Sequence, residues 1–387
     1  MRVILHTGKG GVGKTTMALA TALGAARHGH RVFVLSTDAA HSVGDALGRP
    51  IGSSPVEVAQ GVVAQEVGVL DELDRAWSEI QEWLRELLHD ETDEMVAEEL
   101  LVFPGMEELI SLRAVREVEA TGDFDVCVVD CAPTGATLRM LRFPDALRIF
   151  MESFFDIERR GVRILRPLLD KVSAGRLLPR EEFFDAFERL YGEVEDVRQI
   201  LLDNQRTSAR LVVNPARVVV DEARRSFAYL SLYGVATDAV LVNRVLPEQA
   251  AGGYFAQWAK REQEELAEIE HCFPEVPLLR APLYPNELVG APAIAELARE
   301  VYGDRDPAEV FTTDRPIRLR KQGSKTVLEI LLRGVSKEEV DVVVAGEDLH
   351  VQVRDAQRRI ALPASLVGCP VDTARFSGDV LQVVFSP

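Results

Sequence analysis

Gly8-Lys9-Gly10-Gly11-Val12-Gly13-Lys14-Thr15-Thr16 follows the short apolar run Val3-Ile4-Leu5 and leads into a stretch of helix-forming residues. It fits G-x-x-x-x-G-K-[ST] in the setting that pattern requires, a strand before and a helix after. The physics is direct. Gly8, Gly10, Gly11 and Gly13 let backbone N–H groups turn inward around phosphates, and the helix N-terminus adds a favourable dipole. Val12 and Thr16 belong to the same cradle. Lys14 is expected to reach the β- and γ-phosphates of ATP, and Thr15 to offer its hydroxyl to Mg²⁺. Lys9 sits too early in the loop to duplicate Lys14. It can instead project toward the phosphates of a facing subunit, as an arginine finger does, a contact that contributes about 10³–10⁵ in rate.

Further along, short apolar runs at residues 3–6, 31–35, 126–130, 210–213 and 239–242 alternate with helical stretches. That alternation predicts an α/β fold, a mostly parallel sheet covered on both faces. Asp130 ends one such run, where a carboxylate can hold the Mg²⁺ shell, partly through water. Asp38 follows another, within reach of an attacking water, although a strand-ending Asp can also cap the next helix. Asn243 ends a third, and its amide can both donate and accept.

Two segments carry apolar residues at helical spacing: residues 71–88, with Leu73, Trp77, Ile80, Leu84 and Leu87, and residues 143–202. They are expected to form a helical subdomain on the sheet's edge, over about 71–118 and 143–207. The character changes near Gly303. A P-loop domain over 1–304, a linker over 305–314 and a small all-β sandwich over 315–387 follow, the last built from alternating runs separated by turn signals such as Gly346-Glu347-Asp348.

Composition narrows the functions. The 387 residues carry a net charge of -18, which argues against a nucleic-acid partner. No apolar run reaches the roughly 18 residues a membrane helix needs, and no secretory leader is expected. Cys127, Cys131, Cys272 and Cys369 include no Cys-x-x-Cys pair. A reducing, cytoplasmic setting fits this usage.

The Lys-Gly-Gly-Val-Gly-Lys-Thr stretch resembles the deviant Walker A motif of dimeric ATPases, among them nitrogenase iron protein, the Min and Par ATPases, the arsenite-pump ATPase and the tail-anchored-protein targeting ATPase. Ser36-Thr37-Asp38-Ala39-Ala40-His41-Ser42 resembles switch I of the last two. Asp130-Cys131-Ala132-Pro133-Thr134-Gly135-Ala136-Thr137-Leu138-Arg139 resembles their switch II. Val242-Asn243-Arg244 and the segment from Pro282 and Leu283 to Gly290 resemble their adenine-side segments. The resemblance implies ATP hydrolysis in a homodimer, with Asp38, Lys9 and Lys14 catalytic, Thr15 and Asp130 at the metal, and Asn243, Pro282 and Leu283 against the base. The family usually has Pro, Thr and His where this chain has Ala39, Cys131 and Ala136.

Residues 331–340, 358–363 and 376–385 resemble the α-crystallin domain of small heat-shock proteins, without its Ile-x-Ile tail or long exchanged loop. An edge of that sandwich could bind clients. The reading that joins these pieces is an ATPase that captures and releases hydrophobic protein segments, with Trp83, Phe150, Phe154 and Phe155 as groove candidates and a membrane receptor as a further partner. An arsenite-efflux motor, which needs converging thiolates, and a nucleotide-switched scaffold with little turnover remain open.

Overall fold

A computed structural model of the protein describes residues 1–38, 42–67, 113–139, 141–142, 148, 181–250, 252–312 and 315–386. The first strand, β1 (Arg2–Thr7), is buried at every position after Arg2. A run with no polar alternation needs cover on both faces, which the middle of a parallel sheet supplies. Around β1 stand β2 (Val32–Ser36), β3 (Val56–Ala59), β4 (Val62–Glu66), β5 (Val126–Asp130), β6 (Thr207–Val213), β7 (Thr237–Val245) and β8 (Leu278–Pro282). Their order is β3-β4-β2-β5-β1-β6-β7-β8. All neighbours are parallel except β3 and β4, a hairpin turning at Gln60-Gly61. The chain leaves β1 for β2 on one side and β5 for β6 on the other. The crevice of such a sheet therefore opens at the carboxyl end of β1.

Helices α1 (Lys14–Arg27) and α2 (Ser42–Leu47) lie on one face with α7 (Ala291–Tyr302), through Met17, Leu19, Val43, Ile294 and Leu297. The other face is covered by α3 (Arg113–Thr121), α4 (Glu181–Leu202), α5 (Arg217–Leu232) and α6 (Ala256–Cys272). Here the structure departs from the sequence expectation. The described parts of the helical subdomain do not stand at the sheet's edge. Val194, Val197, Ile200 and Leu201 of α4 and Val115 and Val118 of α3 are in the main core. Their apolar stripe is what a face-covering helix presents. The rest of that expectation, including Trp83, Phe150, Phe154 and Phe155, lies outside the described residues.

The expected linker is also not a free tether over its described part. Arg210, in β6, is fully buried, and its Nη2 donates to the carbonyls of Pro307 at 2.7 Å and Glu309 at 3.3 Å. Its guanidinium lies 4.5 Å from the centre of the Phe311 ring, and Asp238 of β7 pairs with Nε at 3.2 Å. A buried charge needs such partners. Residues 307–311 are thus strapped to the sheet.

The second unit is antiparallel throughout. Its strands are β9 (Ile317–Gln322), β10 (Lys325–Leu331), β11 (Val340–Ala345), β12 (Asp348–Val353), β13 (Ala356–Ala361), β14 (Val371–Ser377) and β15 (Val380–Phe385), in sheets β14-β15-β10-β9 and β11-β12-β13. Leu328, Ile330, Leu349, Val351, Val383 and Phe385 fill the space between them. The same core takes in Tyr229 and Leu232 of α5. Hydrogen bonds secure this junction: Tyr229 Oη to Asp355, Tyr233 Oη to the Gln357 carbonyl at 3.1 Å, and Arg358 to the Leu232 carbonyl. Arg333 donates to the Pro274 carbonyl and packs over Phe227.

Candidate nucleotide site

The loop after β1 must bend sharply and pass close to its neighbours, which is why glycine stands where it does. A Cβ on Gly8 would lie 2.3 Å from the Val212 carbonyl oxygen. Gly13 has φ +95°, and a Cβ there would lie 2.3 Å from Asn243 Nδ2. The loop then enters α1, which presents the first N–H groups of a helix to the crevice.

Asp130, at the end of β5, is fully buried. Thr15 Oγ1 donates to its Oδ2 at 2.7 Å and lies 2.9 Å from Ser42 Oγ, which itself donates to the same oxygen at 3.4 Å. Oδ1 is buried without a hydrogen-bond partner. Burial raises the Asp130 carboxyl to about 7, with Asp38 adding to the rise and Thr15, Lys14 and Ser42 opposing it. One carboxylate oxygen awaiting a partner beside two hydroxyls is a hard oxygen set, suited to a small divalent cation. Lys14 is nearly buried and donates to the Lys9 carbonyl at 3.4 Å. Ser42 is held from behind: Glu66, in β4, accepts the N–H groups of Val43 and Gly44 at 3.0 and 2.9 Å, at the start of α2.

A cleft of about 600 Å³ opens beside these groups. That size suits a nucleotide-sized ligand. Gly11, Gly13, Lys14, Thr15, Thr16 and Asp38 form part of its wall, and Asn243, Arg244, Pro282 and Leu283 another part. Gly8, Gly10 and Val12 are not in that wall. Val12 is buried in the core behind the loop.

Two of the expected residues make contacts that the sequence did not announce. Asn243 donates Nδ2 to the Val12 carbonyl at 2.8 Å and accepts the Arg244 N–H at Oδ1, also at 2.8 Å. One end of its amide braces the loop, and the other holds the next residue of its own strand. Lys9 is partly exposed, and its Nζ lies 2.8 Å from Glu222 Oε2 of α5. His41 lies outside the described residues. Sequence reasoning overlooked Ser42 as a participant, although a hydroxyl four residues after Asp38 was visible. Nothing local signalled Glu222.

The profile of the family described as anion-transporting ATPase matches residues 1–303, and that of the HSP20-like domain found in ArsA matches 323–385. This chain belongs to the anion-transporting ATPase family. It is an ATPase of the ArsA type with an HSP20-like domain behind it. Family members that it resembles along its length include a putative arsenical pump-driving ATPase of Chlorobaculum tepidum, 35% identical over all of this chain and 96% of the relative. Another is the putative arsenical pump-driving ATPase 1 of Aquifex aeolicus, 33% identical over the whole of both chains. The arsenical pump-driving ATPase of Escherichia coli is 31% identical over 77% of this chain, which spans 49% of that protein. Among the described residues of this family member, no helix is long and apolar enough to cross a membrane.

Proposed function

We propose that this ATPase works as a homodimer on Mg-ATP and couples nucleotide binding and hydrolysis to the capture and release of hydrophobic protein segments. The observation that carries the reading is the junction of the two units. The sandwich shares its core with α5 of the ATPase unit, yet among the described residues no strand pairs with the outer edge of β11. Among the described residues β11 pairs with β12 alone, and Val343 is 61% exposed there, with Val344 exposed beside it. An open apolar strand edge accepts an extended chain by backbone pairing, with side chains adding selectivity.

In this reading Lys14 neutralises phosphate charge, Asn243 keeps the loop in shape, and Asp38, in the cleft wall, orients the attacking water. Thr15, Ser42 and Asp130 hold Mg²⁺. When bound, the cation offsets the charge that develops on the phosphates. Lys9 reaches the partner's nucleotide. The chain spans about half of the E. coli relative, so two copies would supply two ATPase units.

The relatives' names favour arsenite as a second reading. The thiols do not support it. Cys127 and Cys131 are sealed in and beside β5, with burial pushing both thiols up, Cys127 to about 12. Cys272 and Cys369 each hydrogen-bond locally, to Glu268 and to the Ser365 carbonyl. No three of the four are available to converge within one protomer, as As(III) binding by sulfur requires.

Steady-state ATP hydrolysis tests the choice, measured with a solubilised apolar transmembrane-type peptide and with arsenite. Stimulation by the peptide, lost in Val343→Lys, is the expected result. Stimulation by arsenite alone would establish the efflux motor instead. Response to neither would leave a nucleotide-switched scaffold.

A further inference from the structure

In the reading above Lys9 reaches across the dimer, and here its ammonium is already engaged. Its Nζ lies 2.8 Å from Glu222 Oε2, with side-chain exposures of 39% and 27%. Glu222 lies in the second turn of α5, away from the phosphate loop in sequence and outside the cleft wall. We propose that Glu222 is a positioning residue that parks Lys9 within its own protomer and releases it only when a second protomer closes over the nucleotide. This inference rests on the homodimer reading above.

Three observations converge. The pair is half-exposed, so it can open without leaving a buried charge stranded. Lys14 donates to the Lys9 carbonyl. Nucleotide that draws Lys14 onto its phosphates therefore removes a hydrogen bond holding the Lys9 backbone. Finally, Glu222 rides on the helix whose far end, Tyr229 and Leu232, is embedded in the sandwich core. The carboxylate that holds the lysine and the anchor of the β-domain thus belong to one helix. A client that shifts the sandwich acts on the lysine's holder.

Parking costs the dimer. An ion pair of this exposure is worth about a two- to fivefold factor per protomer, hence about four- to twenty-five-fold in the dimerisation constant when both must open. Glu222→Gln removes the holder and leaves Lys9 free.

The test is sedimentation velocity of the full chain with Mg²⁺ and a non-hydrolysable ATP analogue, for wild type, Glu222→Gln, Glu222→Asp, Lys9→Ala and the Lys9→Ala, Glu222→Gln double variant. The proposal expects Glu222→Gln to tighten association by that factor, Glu222→Asp to restore most of the wild-type value, and Glu222→Gln to change nothing once Lys9 is gone. A tightening that persists without Lys9 overturns it, as does wild-type association in Glu222→Gln. A raised KM for ATP with no change in association would make the pair a brace of the loop and also overturns it. If wild type stays monomeric with the analogue at every concentration, the homodimer reading itself has failed and takes this inference with it.

Discussion

Asn243 and Gly13 are locked in a single contact: the Asn243 amide donates to the Val12 carbonyl, and a Cβ on Gly13 would lie 2.3 Å from that amide nitrogen. The end of β7 thereby fixes the last bend before α1. Gly13→Ala meets both this clash and a left-handed φ that costs a residue with a Cβ about 1–2 kcal/mol. The variant is expected to lose ATP binding by titration calorimetry and to melt earlier. Adding Asn243→Ala removes the clash but not the backbone strain, so it should recover only part of the melting temperature. Full recovery would mean the φ preference is unimportant here.

Lys14 and Asp38 should separate binding from turnover. Lys14→Ala removes the cation beside the phosphates and should abolish the thermal stabilisation that Mg-ATP gives. Asp38→Asn keeps the size of the side chain and loses the carboxylate that can take a proton from water. It should bind ATP normally and lose about 10²–10⁴ in kcat, the usual contribution of a positioned base. Unchanged stabilisation in the first variant removes Lys14 from the site, and unchanged kcat in the second removes Asp38 from the chemistry.

Asp130 makes a prediction about pH. Burial raises its carboxyl from 3.8 to about 7. The folded state therefore holds that proton more tightly than the unfolded chain. This group's contribution to stability is fully present below about pH 4 and is lost as pH rises through 7. Without a cation, wild type should melt lower at pH 8 than at pH 5 by more than Asp130→Asn does. Mg-ATP should close the gap for wild type alone. Identical pH dependence in the two proteins would show that the buried carboxylate is not strained.

The phosphate loop could be read from the sequence because its chemistry is backbone chemistry, and glycine spacing records it directly. The central strands could be read because a strand buried on both faces leaves an uninterrupted apolar run, as in Val126–Asp130. Strands that see water left no such trace. β14 exposes five of its seven residues and went unseen, as did the β3 and β4 hairpin at the sheet's edge. Contacts that only the fold creates were also hidden. Nothing near Glu222 announces Lys9, and the bond from the Asn243 amide nitrogen depends on a loop 231 residues away. Arg210 did leave a sign. An arginine inside the apolar run Thr207–Val213 needs partners, and beside Asp238 and Tyr302 these include the segment expected to be a linker.

That segment yields a prediction about truncation. Cutting after Thr312 removes the sandwich but keeps the Pro307 and Glu309 carbonyls and the Phe311 ring on Arg210. Cutting after Asp304 removes all three and leaves the guanidinium to Asp238 and Tyr302 alone. A hydrogen bond to a charged group contributes about 1.5–3 kcal/mol, so the shorter product should be the less stable by about that amount or more in thermal melts. Both products expose Tyr229 and Leu232, which cancels in the comparison. Equal melting temperatures would mean that residues 305–312 serve the sandwich alone; a difference of the expected size assigns them to the ATPase unit, whose edge in the chain then lies past the composition change at Gly303.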